Sequence, residues 1–211
     1  MNDCQFKLSF DSPRRTWLAQ AAGGLLACAA YSPLRSMAAA SEAPLSDALR
    51  GVLGERWRAA SPEVEWSAES QAWQSWARRR LSGWMPETEL REELVRHAWY
   101  EARRAGLSLS LVLGLIEVES GFRKHALSAA GAMGYMQIMP FWVRAIGDGD
   151  VSGLWRTSIN LRYGCVILRH YLHLEGGDLA FALGRYNGTR GQTEYPSRVL
   201  AAQRSWRSAH D

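Results

Sequence analysis

The stretch "LSLSLVLGLIEVESGFRKHALSAAGAMGYMQIMP", Leu107 to Pro140, decides how the rest of the chain is read. From Leu109 to Val118 it is almost wholly apolar, the pattern of a helix buried on every side. Ser108 or Ser110 can cap its start, and it is expected to run to Glu119. Yet this greasy run carries Glu117 and Glu119 near its end. Two residues apart on a helix, they point to nearly opposite sides and cannot easily share one substrate. Glu119 has Leu115 and Ile116 one turn behind it and lies at the negative end of the helix dipole. Burial and dipole both disfavour the anion, so the pKa rises and a proton stays available near neutral pH for donation. The plainer alternative is a Glu119 that reaches solvent or pairs with Arg123 at i+4.

Outward from this segment the chain reads helix after helix. Helices are expected over Ser46–Trp57 and over Pro62–Leu81, where Trp73 and Trp76 fall three apart on one face. Gly83 and Pro86 break that pattern. Another helix is expected over Pro86–Gly106, with acids at its start and Arg103-Arg104 and Gly106 at its end. Gly121, Gly131 and Gly134 punctuate a loop region. Further helices are expected over Thr157–Gly177, from an Asp178 cap to about Tyr186, and over Tyr195–Trp206. There is no alternating strand of any length and no internal repeat. The expected fold class is mainly α, with a Trp-rich helical extension over 41–93 and a principal domain over 94–207.

Composition narrows the function. At 211 residues, 47% hydrophobic and 22% charged, the chain can bury one ordinary core and is not a disordered polymer. The net charge of +4 is mild, and basic residues are scattered except for Arg78-Arg79-Arg80, which excludes a dedicated nucleic-acid binder. Ten Trp could offer flat faces to sugar rings, but most are expected to pack helices.

Residues 1–40 have the layout of a cleavable export signal. Arg14-Arg15 precedes an Ala/Gly/Leu run too short to span a bilayer, and Ala38-Ala39-Ala40 precedes Ser41. The arginine pair resembles a twin-arginine signal, with Trp17 and Pro13 as departures. Cleavage is expected after Ala40, with delivery to the periplasm. "LLAC", ending at Cys28, also resembles a lipobox, and lipid anchoring at Cys28 is the alternative. Cutting at Ala40 removes two of the three cysteines, so Cys165 is expected as a lone buried apolar residue. His170 and His173 stand at i, i+3 but have no further ligand in register, so no metal site and no cofactor are expected.

Three segments give Glu119 its company: "ESGF" (Glu119–Phe122) with Ser128, "GYMQIMP" (Gly134–Pro140) and "RYNG" (Arg185–Gly188). In order and spacing they resemble the catalytic domain of the soluble-lytic-transglycosylase (SLT) type in the lysozyme superfamily, over about Leu94–Trp206. The resemblance implies a lysozyme-like helical domain with a groove for peptidoglycan glycan strands. It implies Glu119 as acid/base, Ser128 as a substrate contact near the reacting sugar, and Gln137 and Met139 lining the groove. It implies a Tyr186 hydroxyl that bonds Glu119, Asn187 in the same segment, and an Asn160 that braces the groove loop. Departures are Tyr135 for Leu, Arg185 for Ala, and Thr189-Arg190 for Ala-Gly.

One further feature bears on mechanism. Glycosidases ordinarily use two carboxyls, but Ser120–Gly147 contains no Asp or Glu. The resemblance implies that Glu119 acts twice, cutting between N-acetylmuramic acid and N-acetylglucosamine to leave a 1,6-anhydro end. The alternatives are a goose-type-like lysozyme that uses water, and a catalytically silent peptidoglycan-binding scaffold. A small enzyme of this kind also resembles those that open the wall for secretion or conjugation machines, which names a candidate partner.

Overall fold

The computed structural model describes residues 67–208. The expected signal, Cys28, the Ser46–Trp57 helix and the Pro62 start of the next helix lie outside the described residues. Within them run seven α-helices: α1 (Ala68–Leu81), α2 (Thr88–Ala105), α3 (Leu109–Ser120), α4 (Pro140–Ile146), α5 (Thr157–Leu174), α6 (Leu179–Asn187) and α7 (Glu194–Ser205). The mainly α class follows directly. Extended pairing among the described residues is limited to two isolated bridges, Leu127 with Met133 and Met133 with Ile138.

α3 is the central element. Every residue from Leu109 to Ile116 is buried, so packing rather than propensity holds the helix. The Ser108 hydroxyl accepts the Leu111 N–H at 3.3 Å, and Gly121 turns left-handed (φ 56°) to end the helix. The two caps fix both ends of α3 to within a residue. Only in the last turn do Glu117, Val118 and Glu119 become half-buried.

Around α3 the packing is specific. α7 makes the most extensive helix contact with it. That approach depends on Gly114, where a Cβ would lie 2.6 Å from the Gln203 backbone nitrogen. α5 packs on α2 and α6. α2 and α5 are joined by a buried ion pair, with Arg162 Nε 2.9 Å from Glu101 Oε1 and both side chains 2% exposed. Desolvation outweighs the partner charge and raises the Glu101 pKa. Cys165, on α5, is fully buried as a free thiol.

α1 packs as its tryptophans predict. Trp73 is 1% exposed, with its ring 5.4 Å from that of Trp99 in α2. Trp76 meets the Trp206 ring edge-on at 6.3 Å. The region after Gly121, read as loop, differs from expectation: it holds α4 and a 3₁₀ turn, Val151–Trp155. Pro140 at the first position of α4 was an available start signal, since its missing N–H costs nothing there.

Gly114→Ala tests this arrangement. Ala normally gains about 0.8–1.0 kcal/mol over Gly in a helix. Here the added methyl meets rigid backbone, and overpacking of about 1–3 kcal/mol is expected to win. Urea denaturation should show a net loss of stability.

Candidate active site

Glu119 sits one residue before the end of α3, where the buried helix runs out. Tyr195, buried in the first turn of α7, donates its hydroxyl to Glu119 Oε1. Burial pushes the Glu119 carboxyl up to about 7; the Tyr195 hydrogen bond and the nearby Arg198 charge pull the other way and only partly offset it. Tyr195 is itself held well above the usual phenol range, by burial and by the Glu119 charge, and so stays a donor. Arg123 does not pair with Glu119; its Nε donates to the Ser120 carbonyl at 2.8 Å. A half-buried carboxyl with a pKa near neutrality and one fixed donor can give up a proton and take one back.

The expected hydrogen bond from Tyr186 to Glu119 is corrected by the structure. The Tyr186 hydroxyl donates instead to the Met136 carbonyl at 2.8 Å, and Tyr195 takes the role assigned to it. Tyr186 is still close enough for the Glu119 charge to raise its pKa. The physical reason is reach: α6 lies against the loop after α3, whereas α7 lies against α3 itself. Nothing local to "TEYPSRV" marks Tyr195 as a partner of Glu119, and sequence reading passed over it.

The loop from Phe122 to Met139 is clamped from a distance. Asn160, buried on α5, accepts the Met136 N–H at 2.8 Å and donates to the carbonyls of Met133 (2.9 Å) and Leu154 (3.1 Å). Asn160 thus does brace the loop. With Tyr186 on its carbonyl, the Met136 residue is held through both its N–H and its C=O. Two non-glycine residues of this loop are left-handed, Phe122 (φ 61°) and Gln137 (φ 50°), conformations that cost about 1–3 kcal/mol each. Gln137 is held there by its own amide, which donates to the carbonyls of Ala126 (3.1 Å) and Gly134 (3.0 Å). Phe122 is wedged between the rings of Trp84 (5.4 Å) and Trp206 (5.3 Å).

The other predicted residues occupy plainer positions. The half-buried Ser128 accepts the Ala132 N–H on its Oγ at 3.0 Å, which leaves its own O–H to donate. Met139 is half-buried at the N-cap of α4 and packs against the core. Asn187 is exposed at the end of α6 and accepts from Thr189 Oγ1 at 3.2 Å. Glu117 faces away from Glu119 and accepts the Trp206 indole N–H at 2.5 Å. It is a structural acceptor for the aromatic cluster.

A family model described as the transglycosylase SLT domain matches residues 98–204. The chain belongs to that family. Membrane-bound lytic murein transglycosylase C of Actinobacillus pleuropneumoniae serotype 5b is 51% identical over 75 residues, 32% of this chain and 20% of that protein. The transglycosylase of Enterobacteria phage PRD1 is 31% identical over 114 residues, 48% of this chain and 42% of the phage protein. The chain therefore spans less than half the length of these relatives. A solved structure, an inactive variant of the lytic transglycosylase Slt of Pseudomonas aeruginosa, aligns with a TM-score of 0.47 at 22% identity. That alignment covers 66% of this chain and 28% of the other.

The raised Glu119 pKa makes a signed prediction. An ordinary Glu titrates near 4.5 and the folded one at about 7, so wild type loses stability as pH rises through that window. Glu119→Gln does not titrate. Its Tm should therefore gain on wild type steadily between pH 4.5 and 7, as followed by circular dichroism; a gap that stays constant would show the carboxyl to be solvated.

Proposed function

We propose that this protein is a peptidoglycan lytic transglycosylase, and the observation that carries the reading is Glu119 bonded to Tyr195 with its pKa near neutrality. Family membership over residues 98–204 supports the substrate class. Protonated Glu119 donates to the bridging oxygen between N-acetylmuramic acid and N-acetylglucosamine as that C–O bond breaks. The resulting carboxylate, with the Tyr195 hydrogen bond still available to it, takes the proton of the muramic 6-hydroxyl. That oxygen attacks the anomeric carbon of its own sugar, a 1,6-anhydro end forms, and Glu119 is protonated again. No water is consumed. Each proton transfer of this kind contributes about 10²–10⁴-fold.

The wall of the site favours this over a two-carboxyl mechanism, because Ser120–Gly147 brings no second acid. The Ser128 O–H, free to donate, is placed as a substrate contact in this reading, with Gln137, Met139 and Tyr186 shaping the groove and Asn187 at its margin. Asn187 accepts from the Thr189 hydroxyl there.

The proposed setting is the bacterial envelope. The twin-arginine-like layout of 1–40 supports export to the periplasm, and the "LLAC" motif keeps anchoring at Cys28 as the competing arrangement. No helix of the described residues is long and apolar enough to cross a membrane. Local wall opening for a secretion or conjugation apparatus is the proposed role; general wall turnover is the competing one.

Glu119→Gln should lower release of soluble fragments from purified sacculi by at least about 10²-fold while the folded circular dichroism spectrum persists. Mass spectrometry of wild-type products should show anhydro ends. Reducing ends would instead mark a water-using lysozyme, and binding without release would mark a silent scaffold. Because the acid must be protonated in the first step, kcat/KM should fall as pH rises through about 7. Tyr195→Phe should shift that pH profile as well as lower kcat, which a merely structural tyrosine would not do.

A further inference from the structure

A recess of about 680 Å³ opens on the molecule, and neither Glu119 nor any other residue assigned to the reaction lines it. It lies between the turn that joins α1 to α2 (Trp84, Met85, Pro86, Glu87) and the start of the loop after α3 (Phe122–Leu127). Phe122 touches Trp206, which bonds Glu117, so the recess is reached from the Glu117 side of α3. Glu119 leaves the helix on the other side.

Three observations define what the recess would hold. Trp84 stands 49% exposed, its ring held edge-on by Phe122 at 5.4 Å, and Leu127 beside it is 64% exposed. Such a fixed, half-open indole is a platform rather than a core residue. Tyr135 borders the recess and is 1% exposed, yet its hydroxyl has no hydrogen-bond partner. A buried hydroxyl without a partner is costly, and a ligand acceptor would satisfy it. Glu87 and Glu93 raise its pKa further, which keeps it a donor.

Charge selects against an ionic ligand. Lys124 is already paired with Glu93 at 2.8 Å, and the lining carries both Arg123 and Glu87, so neither sign of ligand charge is favoured. Beside these charged groups and His125, the recess offers a flat aromatic face, apolar walls from Met85 and Leu90, and one deep donor. A neutral ring that carries both a methyl and a carbonyl meets all three demands.

We infer that this recess is a second glycan site, which holds an N-acetylated sugar ring against Trp84 with its acetamido carbonyl accepting from the Tyr135 hydroxyl. The ligand's source, a peptidoglycan strand, rests on the glycan-cleaving reading above; the sugar chemistry of the recess does not. Held there, a strand would keep the enzyme on the wall between cuts made at Glu119.

The experiment uses the Glu119→Gln protein and the tetramer of N-acetylglucosamine, followed by NMR. The Trp84 indole N–H should shift on titration, and Trp84→Ala should weaken binding at the recess about tenfold without moving the affinity read at Tyr195. Tyr135→Phe should weaken the recess similarly while Tm stays unchanged or rises, because the unpartnered hydroxyl is gone. A Trp84 indole that stays still at saturation, or a Tyr135→Phe protein that binds as before, overturns the proposal. Cleavage of sacculi by wild type is scored separately, so a failed recess and a failed active site give different results.

Discussion

The Glu119 carboxyl can stay at the end of a buried helix because one hydroxyl, that of Tyr195, is aimed at it. Unpaired, a carboxyl beside so much hydrocarbon is costly; fully solvated, it would titrate as an ordinary acid and lose its use near neutrality. A single neutral donor in a poorly hydrated position holds it between these limits. That geometry requires α7 to lie close along α3, which the missing side chain at Gly114 permits. A packing decision thus sets an acidity.

The loop beside Glu119 shows a second way that distant residues set local chemistry. Its peptide groups are tied by Asn160 from α5 and Tyr186 from α6, and both ties converge on Met136. The side chain of Met136 also lies against Gly164, where a Cβ would collide with it. A loop held at this many points can maintain left-handed Phe122 and Gln137, which an isolated segment would relax away. Rigidity of this kind is what a positioning wall needs if reacting atoms are to meet at short range.

The last turn of α3 divides the molecule into two faces. Glu119 meets Tyr195 on one, and Glu117 meets the Trp206 indole on the other. On the Glu117 side, Trp76, Phe122, Trp84 and Trp206 form a chain of edge-on rings, with Arg80 over Trp206 at 5.2 Å. The Trp-rich segment before α2 therefore serves packing at Trp73 and Trp76 while leaving Trp84 half open.

Much of this was legible in the sequence, for local reasons. The all-apolar run specifies a buried helix, with the structure choosing Ser108 over Ser110 as its cap, and the 3.6-residue period specifies that Glu117 and Glu119 diverge. The Glu119 pKa shift was likewise readable in direction from its neighbours. What the tertiary structure alone decided was which hydroxyl arrives. Tyr186 and Tyr195 both follow plausible helices, and no local signal separates them; the approach of α7 to α3 does. The Glu101–Arg162 pair, 61 residues apart, and the unpartnered Tyr135 hydroxyl were equally invisible. Periodicity and caps act over one turn of chain, whereas partners across a core are chosen by how helices pack, and single-sequence patterns carry no record of that.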